Sequence, residues 1–255
     1  MGTFYKNAVC DIYIGKGAGA KLIQDIRNAK RNVKIVSPYL SPSLIKELIF
    51  LHTKGIKISL ITTDEIEDFY GHEKNINKLI IQERHVDESA KESRDNLMSL
   101  SGTLLFVMIG LGVVLFPLIF LLKEPKYAFG FIIVALLFFI RNYTVSEIKK
   151  KKIYHYTYSQ LFPFKVFVSP NHGNSFNTTF IHSKIYIIDD EVAYLGSLNF
   201  TAKGVKENHE TRIRTADPNA VAKIIEEVNH LFSNSNLAER DVQFWGGQLY
   251  TEPVN

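Results

Sequence analysis

Apolar and polar positions along the chain fall into short alternating blocks before one feature breaks the pattern. Residues 9–14 (VCDIYI) and 33–39 (VKIVSPY) carry the β-branched enrichment of strands. Between them Leu22, Ile23, Ile26 and Ala29 recur at helical spacing across residues 18–30. Ser41 then stands as an N-cap ahead of Pro42 at the first helical position, and Gly55 closes that helix. Residues 56–63 (IKISLITT) return to strand character. Strand, helix, strand, helix, strand predicts a sheet with parallel members and covering helices. Residues 73–93 put Ile76, Leu79, Ile80 and Val86 on one face and charges elsewhere, which predicts a helical stalk.

The break comes at residues 97–122, which hold no charged side chain. As a helix this run is about 39 Å long, against about 30 Å of bilayer hydrocarbon. Its Gly102, Gly110 and Gly112 would weaken a helix in water and are common in membranes. A polar turn, KEPK at 123–126, leads to a second run at 127–140 of about 21 Å. This run crosses by borrowing residues 141–145 and letting Arg141 snorkel, or else it forms a re-entrant leg. Strand patterns resume at 164–169, then a polar loop (PNHGNSFNTT, 170–179), a strand at 180–189, a tight turn at Asp189–Asp190, and a strand at 191–197. A strand at 209–215 and an amphipathic helix at 220–232, capped by Asn219, complete the series. The later elements continue the earlier ones. The expectation is one α/β domain, a mixed sheet flanked by helices and interrupted by a membrane hairpin: first half 1–72, stalk 73–96, hairpin 97–145, second half 146–255. Halves of one domain lie on one side of a membrane, so the number of crossings is even.

Charge sharpens this picture. The 255 residues carry a net charge of +4, with 22% charged. Residues 141–152 hold Arg141 and Lys149, Lys150, Lys151 and Lys152 against Glu147, five cations minus one acid, so the remainder is neutral overall. A broadly basic nucleic-acid binder is excluded. The excess sits where juxtamembrane lysines sit and places the catalytic halves in the cytoplasm, although Lys123 and Lys126 on the opposite turn reduce the contrast. The single cysteine, Cys10, excludes an intramolecular disulfide and CxxC sites. The N-terminus is expected to be neither a signal peptide, being too polar, nor myristoylated, since Lys6 breaks the pattern.

The chemistry gathers in FIHSKIYIIDDEVAYLGSLNF, residues 180–200. His182 and Lys184, two apart on a predicted strand, leave one face, and Ser197 and Asn199 repeat that spacing on the next strand. An imidazole, an ammonium, a hydroxyl and a carboxamide together suit a phosphodiester: the imidazole attacks phosphorus and the donors hold the non-bridging oxygens. Taken singly, these are ordinary surface polar residues. Taken as H-x-K-x4-D-x6-G-S-x-N, they form a specific pattern of six fixed residue types that includes Asp189 and Gly196.

That pattern resembles the signature of the phospholipase D superfamily, matched in full from His182 to Asn199. The flanks at 12–63 and 165–231 are similar to the rest of such a domain, and the hairpin is not covered. The resemblance implies a phospholipase D-like mixed sheet and a phosphohistidine formed on His182. Lys184, Ser197 and Asn199 would bind phosphate. Glu210, eleven positions past the Asn, would support the histidine, and Asp189 would hold the turn after its strand. It implies no metal and no cofactor, and the sequence shows no metal-ligand spacing. The mechanism takes two such motifs, and neither His52 (HTK) nor His72 (HEK) has the following acid or GSxN. The implied unit is therefore a homodimer joined through its active-site face. His172 and His209 are candidates to line the cleft, and Trp245 reads as a packing residue. Relatives with one motif are typically endonucleases, so the preferred partner is nucleic acid, DNA or RNA. The alternative is an anionic phospholipid such as cardiolipin, and a third reading is a non-catalytic membrane scaffold, which the intact motif disfavours.

Overall fold

The computed structural model describes residues 4–65, 76–122, 125–170, 180–233 and 237–255. In chain order the elements are β1 (Cys10–Lys16), α1 (Ala20–Arg27), β2 (Asn32–Val36), α2 (Pro42–Thr53), β3 (Lys57–Thr63), β4 (Ile80–Val86), α3 (Glu88–Leu122), α4 (Gly130–Lys150), β5 (Tyr154–Gln160), β6 (Phe164–Phe167), β7 (Ile185–Ile188), β8 (Val192–Gly196), α5 (Ala202–Lys206), β9 (His209–Thr215), α6 (Pro218–Ser233), β10 (Glu239–Arg240) and α7 (Val242–Leu249). Contacts divide them into two units, Met1–Gln82 with Tyr158–Thr251, and Glu83–Thr157 with Glu252–Asn255.

The first unit is built on an eight-stranded sheet of order β1-β9-β8-β7-β2-β3-β6-β10. β2, β3 and β6 run parallel, and the other pairings are antiparallel, so the expected mixed sheet is present. β1 is not among the parallel members; it forms an edge on β9. Alternation along the strands sorts side chains to two faces. Ala193 and Ile187 meet Val36, Ile61, Phe167 and the buried Val221 and Val228 of α6. Burying each such aliphatic side chain is worth about 1.5–3 kcal/mol. Tyr194, next to Ala193, points to the other face, where its hydroxyl donates to Asp25 of α1 at 2.5 Å. Trp245 of α7 is fully buried, with Nε1 donating to the Arg240 carbonyl at 3.2 Å, which is the packing role read from the sequence.

Several local expectations change. Residues 80–86 are a strand, not part of a helical stalk, and pair with β5, a strand the sequence reading did not contain. β7 begins only at Ile185, because its first rung to β2 is Val36↔Ile185; His182 and Lys184 precede the strand. Ser197 and Asn199 likewise follow the end of β8. The cap of α6 is Asp217, whose carboxylate accepts from the Asn219 and Ala220 amides at 2.9 and 3.3 Å with Pro218 at the first position, so Asn219 is inside the helix. Ser41 caps α2 as expected by position, but its hydroxyl accepts from Ala202 N (3.1 Å) and makes no cap bond within the helix.

The β7–β8 connection is held from outside. Asp189 and Asp190 both adopt left-handed backbone (φ 55° and 58°) in the three-residue connection that puts Ile188 opposite Val192, and Asn or Asp tolerates that conformation well. The Asp189 carboxylate accepts from the amides of Lys30, Arg31 and Asn32, at 2.9, 2.6 and 3.0 Å for the nearest oxygen of each. Burial alone would raise its pKa, but the Lys30, Asn32 and Arg31 amides and the Arg31 charge outweigh burial and hold it below the usual carboxylate range.

In the second unit, α3 and α4 pack on each other and are long and apolar enough to cross a membrane. Pro117 sits inside α3. The Asp87 amide donates to the Ile153 carbonyl at 2.9 Å, so the hairpin leaves and rejoins the chain at adjacent points.

Two outcomes follow from these contacts. Replacing residues 88–152 with a short Gly/Ser linker should give a protein soluble without detergent that unfolds cooperatively in urea; aggregation or non-cooperative melting would show the helices to be part of the core. Asp189→Asn keeps the left-handed turn and removes the charge, and should cost about 2 kcal/mol at pH 7 in denaturant titrations. Because the folded pKa is depressed, this stabilisation is complete above the unfolded value near 3.9 and disappears as pH falls through the lower folded one. The gap between wild type and Asp189→Asn should therefore close in strong acid.

Candidate active site

The signature residues meet where β7 starts and β8 ends. His182 is exposed and its ring lies 5.6 Å from that of Phe180, tilted by 37°. Lys184 is buried, with 6% of its surface exposed. Its Nζ lies 3.1 Å from His182 Nδ1 and 3.0 Å from Nε2, and donates to the His182 carbonyl at 2.7 Å. In a neutral ring one nitrogen carries a proton and the other an in-plane lone pair, and the two directions diverge; the ammonium is nearly equidistant from both nitrogens and is centred on neither direction. Burial lowers the Lys184 pKa, and the charge of Glu210 pushes it back up.

Glu210 is buried on β9 and both its oxygens are engaged. Ser197 Oγ donates to one, and Asn208 Nδ2 donates to the other at 3.1 Å. Ser197 is fixed a second time, since its Oγ accepts from Thr211 N at 3.0 Å and its amide donates to the Thr211 carbonyl at 3.0 Å. Gly196 permits this approach: its φ is +153°, and a Cβ there would overlap the Thr211 carbonyl. Glycine and serine of the signature thus close β8 onto β9 and present Glu210 to the site.

Asn199 is positioned by its neighbours. Tyr186, buried in β7, donates to the Leu198 carbonyl at 2.6 Å, and burial holds its hydroxyl protonated by raising its pKa. Phe200 N donates to Ser37 Oγ (3.0 Å) and its carbonyl accepts from Ser41 N (3.1 Å). Within that frame Asn199 Oδ1 is buried without a hydrogen-bond partner among the described residues.

The other sequence candidates separate. Asp189 lies at the far end of β7 from His182, with its carboxylate on the Lys30, Arg31 and Asn32 amides. His209 is exposed on β9 opposite Lys16, and as the neighbour of Glu210 on a strand it leaves the opposite face. His172 lies outside the described residues. Asn208 and Tyr186 were not singled out by sequence. Asn208 stands two positions before Glu210, the spacing already used for His182 and Lys184, and Tyr186 stands two positions after Lys184.

A family profile described as "Cardiolipin synthase, PLD-like domain" matches residues 22–232. No curated protein sequence matches the chain. Among solved structures, NucT from Helicobacter pylori aligns with a TM-score of 0.47 at 12% identity, over 92% of this chain and 100% of that one. Nuc from Salmonella typhimurium, a phospholipase D family member, aligns with a TM-score of 0.42 at 11% identity, over 91% and 99%. A phosphatidylserine synthase from Haemophilus influenzae Rd KW20 gives 0.41 at 13% identity, over 89% of this chain and 39% of that one.

The electrostatics make a direct prediction. Lys184 should titrate below the surface lysines in a ¹³Cε NMR titration, and Glu210→Gln should lower it further, because the charge that opposes burial is removed. An unchanged Lys184 titration in that variant would mean that the two charges are not coupled.

Proposed function

The chain belongs to the phospholipase D-like family of phosphodiesterases, and on that premise we propose that it is a membrane-anchored, metal-independent endonuclease acting as a homodimer. The observation that carries this reading is the exposed His182 ring held beside the buried ammonium of Lys184. A His182 nitrogen attacks phosphorus, and the bond from phosphorus to the leaving alcohol breaks. The departing oxygen takes a proton from His182 of the partner subunit, leaving phosphohistidine on the first. Water then attacks that phosphorus and gives its proton to the same partner histidine, which restores both rings. Lys184 and Asn199 bind the phosphate oxygens as charge develops, while Ser197, whose one hydroxyl proton goes to Glu210, holds that carboxylate in place instead of binding phosphate as the resemblance implied. Glu210, tethered by Ser197 and Asn208, supplies a fixed negative charge that favours the ammonium of Lys184 and the imidazolium formed in the cycle.

The one complete motif in this sequence supports a site completed by a second copy of the chain. The two apolar helices support anchoring, and the four lysines at 149–152 support a cytoplasmic catalytic unit. A second reading, a phosphodiesterase or phosphatidyl transferase acting on cardiolipin-type lipids, draws on the description of the matching family and on those same helices.

Detergent-solubilised protein in excess EDTA, given single- and double-stranded DNA, RNA and anionic-lipid liposomes in separate reactions, distinguishes the two. Cleavage of nucleic acid that falls at least about 10³-fold in His182→Ala is the expected result. Release of head groups with nucleic acid untouched would replace the nuclease reading with the lipid one.

A further inference from the structure

The catalytic unit has no global excess of positive charge, yet its cations are not evenly spread. Two adjoining hollows of about 520 and 480 Å³, lined in common by Arg27, Ser43 and Glu47, follow α1, α2 and α5 as a groove crossed by the Arg27–Glu47 ion pair. Its charged lining is Arg27, Lys46, Lys54 and Lys206 against Glu47 alone. Both Glu47 oxygens are occupied by Arg27, at 3.0 and 3.1 Å. Among the described residues, no carboxylate lies within ion-pair distance of Lys46, Lys54 or Lys206, and all three are exposed. Glu207, at the end of α5, does not line the groove.

An aromatic side chain sits among these cations. Phe50 is 52% exposed on α2, an unusual place for a phenyl ring, with Lys54 Nζ 4.1 Å from its centroid. The groove also starts beside the catalytic loop. Ser41, at the head of α2, is bonded to Phe200 and Ala202, immediately after Asn199, and Ala202 and Ser43 line the hollows.

We propose that this groove is a track for a single strand of nucleic acid running between α1, α2 and α5 to the catalytic loop, an inference that rests on the nuclease reading. Lysines with no carboxylate partner among the described residues attract successive phosphates, and the face of Phe50 turned away from Lys54 can take a base whatever its identity. A lipid surface would satisfy the lysines but gives the phenyl ring no planar partner, and a groove is the wrong shape for a plane of head groups. A single strand also requires less room than a duplex, which suits hollows of this volume.

The test uses full-length protein in detergent with His182→Ala, so that nothing is cut. Binding of fluorescent 30-nucleotide oligothymidylate and oligouridylate is measured by anisotropy at several salt concentrations, with dihexanoyl-phosphatidylglycerol as a competitor. Lys46→Glu and Lys54→Glu should each weaken binding about tenfold and reduce the salt slope by about 0.7. Phe50→Ala should weaken it by about 5- to 100-fold with the slope unchanged. Lys223→Glu, a charge reversal on the α6 side of the sheet, should stay within about twofold. Oligonucleotide binding that is equal in wild type and all groove variants would overturn the groove while leaving the nuclease reading intact. Loss in the lysine variants without loss in Phe50→Ala would overturn the stacked single strand. Failure of every form to bind oligonucleotide, with the lipid cleaved by the active enzyme, would overturn both the groove and the reading beneath it.

Discussion

A carboxylate that accepts from three consecutive backbone amides leaves a strand no freedom to slide, and Asp189 does this between β7 and the turn into β2. Register matters more in a sheet than in a helix, because a slip of one residue exchanges the two faces. Here one face carries the α6 core through Ile187 and Ala193, and the other carries Tyr186 and Tyr194. A slipped β7 would bury the wrong set, displace Tyr186 from the Leu198 carbonyl, and move Lys184 and His182 off the site. An anchor at one end of a four-residue strand therefore determines geometry at the other.

At that other end the structure keeps an ammonium and a carboxylate out of water without pairing them directly. Lys184 turns to the His182 ring and carbonyl, and Glu210 turns to Ser197 and Asn208. Each charge stays available to a third party. A direct ion pair would engage the ammonium fully, whereas a buried donor whose charge is only partly balanced at a distance keeps a strong field for an anion that approaches it.

The parts legible in the sequence were those set by spacing or by side-chain chemistry. The signature carried residues that the fold brings to the start of β7 and the end of β8, the β-branched runs carried β1, β2, β3 and β8, and the charge-free run carried the apolar helices. What was misread depended on partners distant in sequence. Residues 80–86 have neither clear helical nor clear strand periodicity, and their fate is decided by β5, about seventy residues on. The stretch 180–184 has the composition of a strand and lacks only a neighbour, since β2 stops at Val36. Asn208 and Tyr186 act through a carboxylate and a carbonyl whose positions exist only after folding. The cationic groove was invisible for the same reason: lysines from α2 and α5 are about 150 residues apart, and the overall charge balance concealed them.

The bond between Asp87 and Ile153 also bears on how the sheet assembles. β2 and β3 precede the two apolar helices, and β6 and β7 follow them, so the central pairings join segments that are far apart along the chain. Closing a flexible loop of roughly 65 residues costs about 3 kcal/mol more than closing one of two, on a logarithmic dependence of closure entropy on length. Once α3 and α4 are folded against each other, their two ends already lie side by side, and the long connection behaves as a very short one. Two helices that look like an interruption of the catalytic sheet thus shorten the effective distance over which that sheet has to find itself.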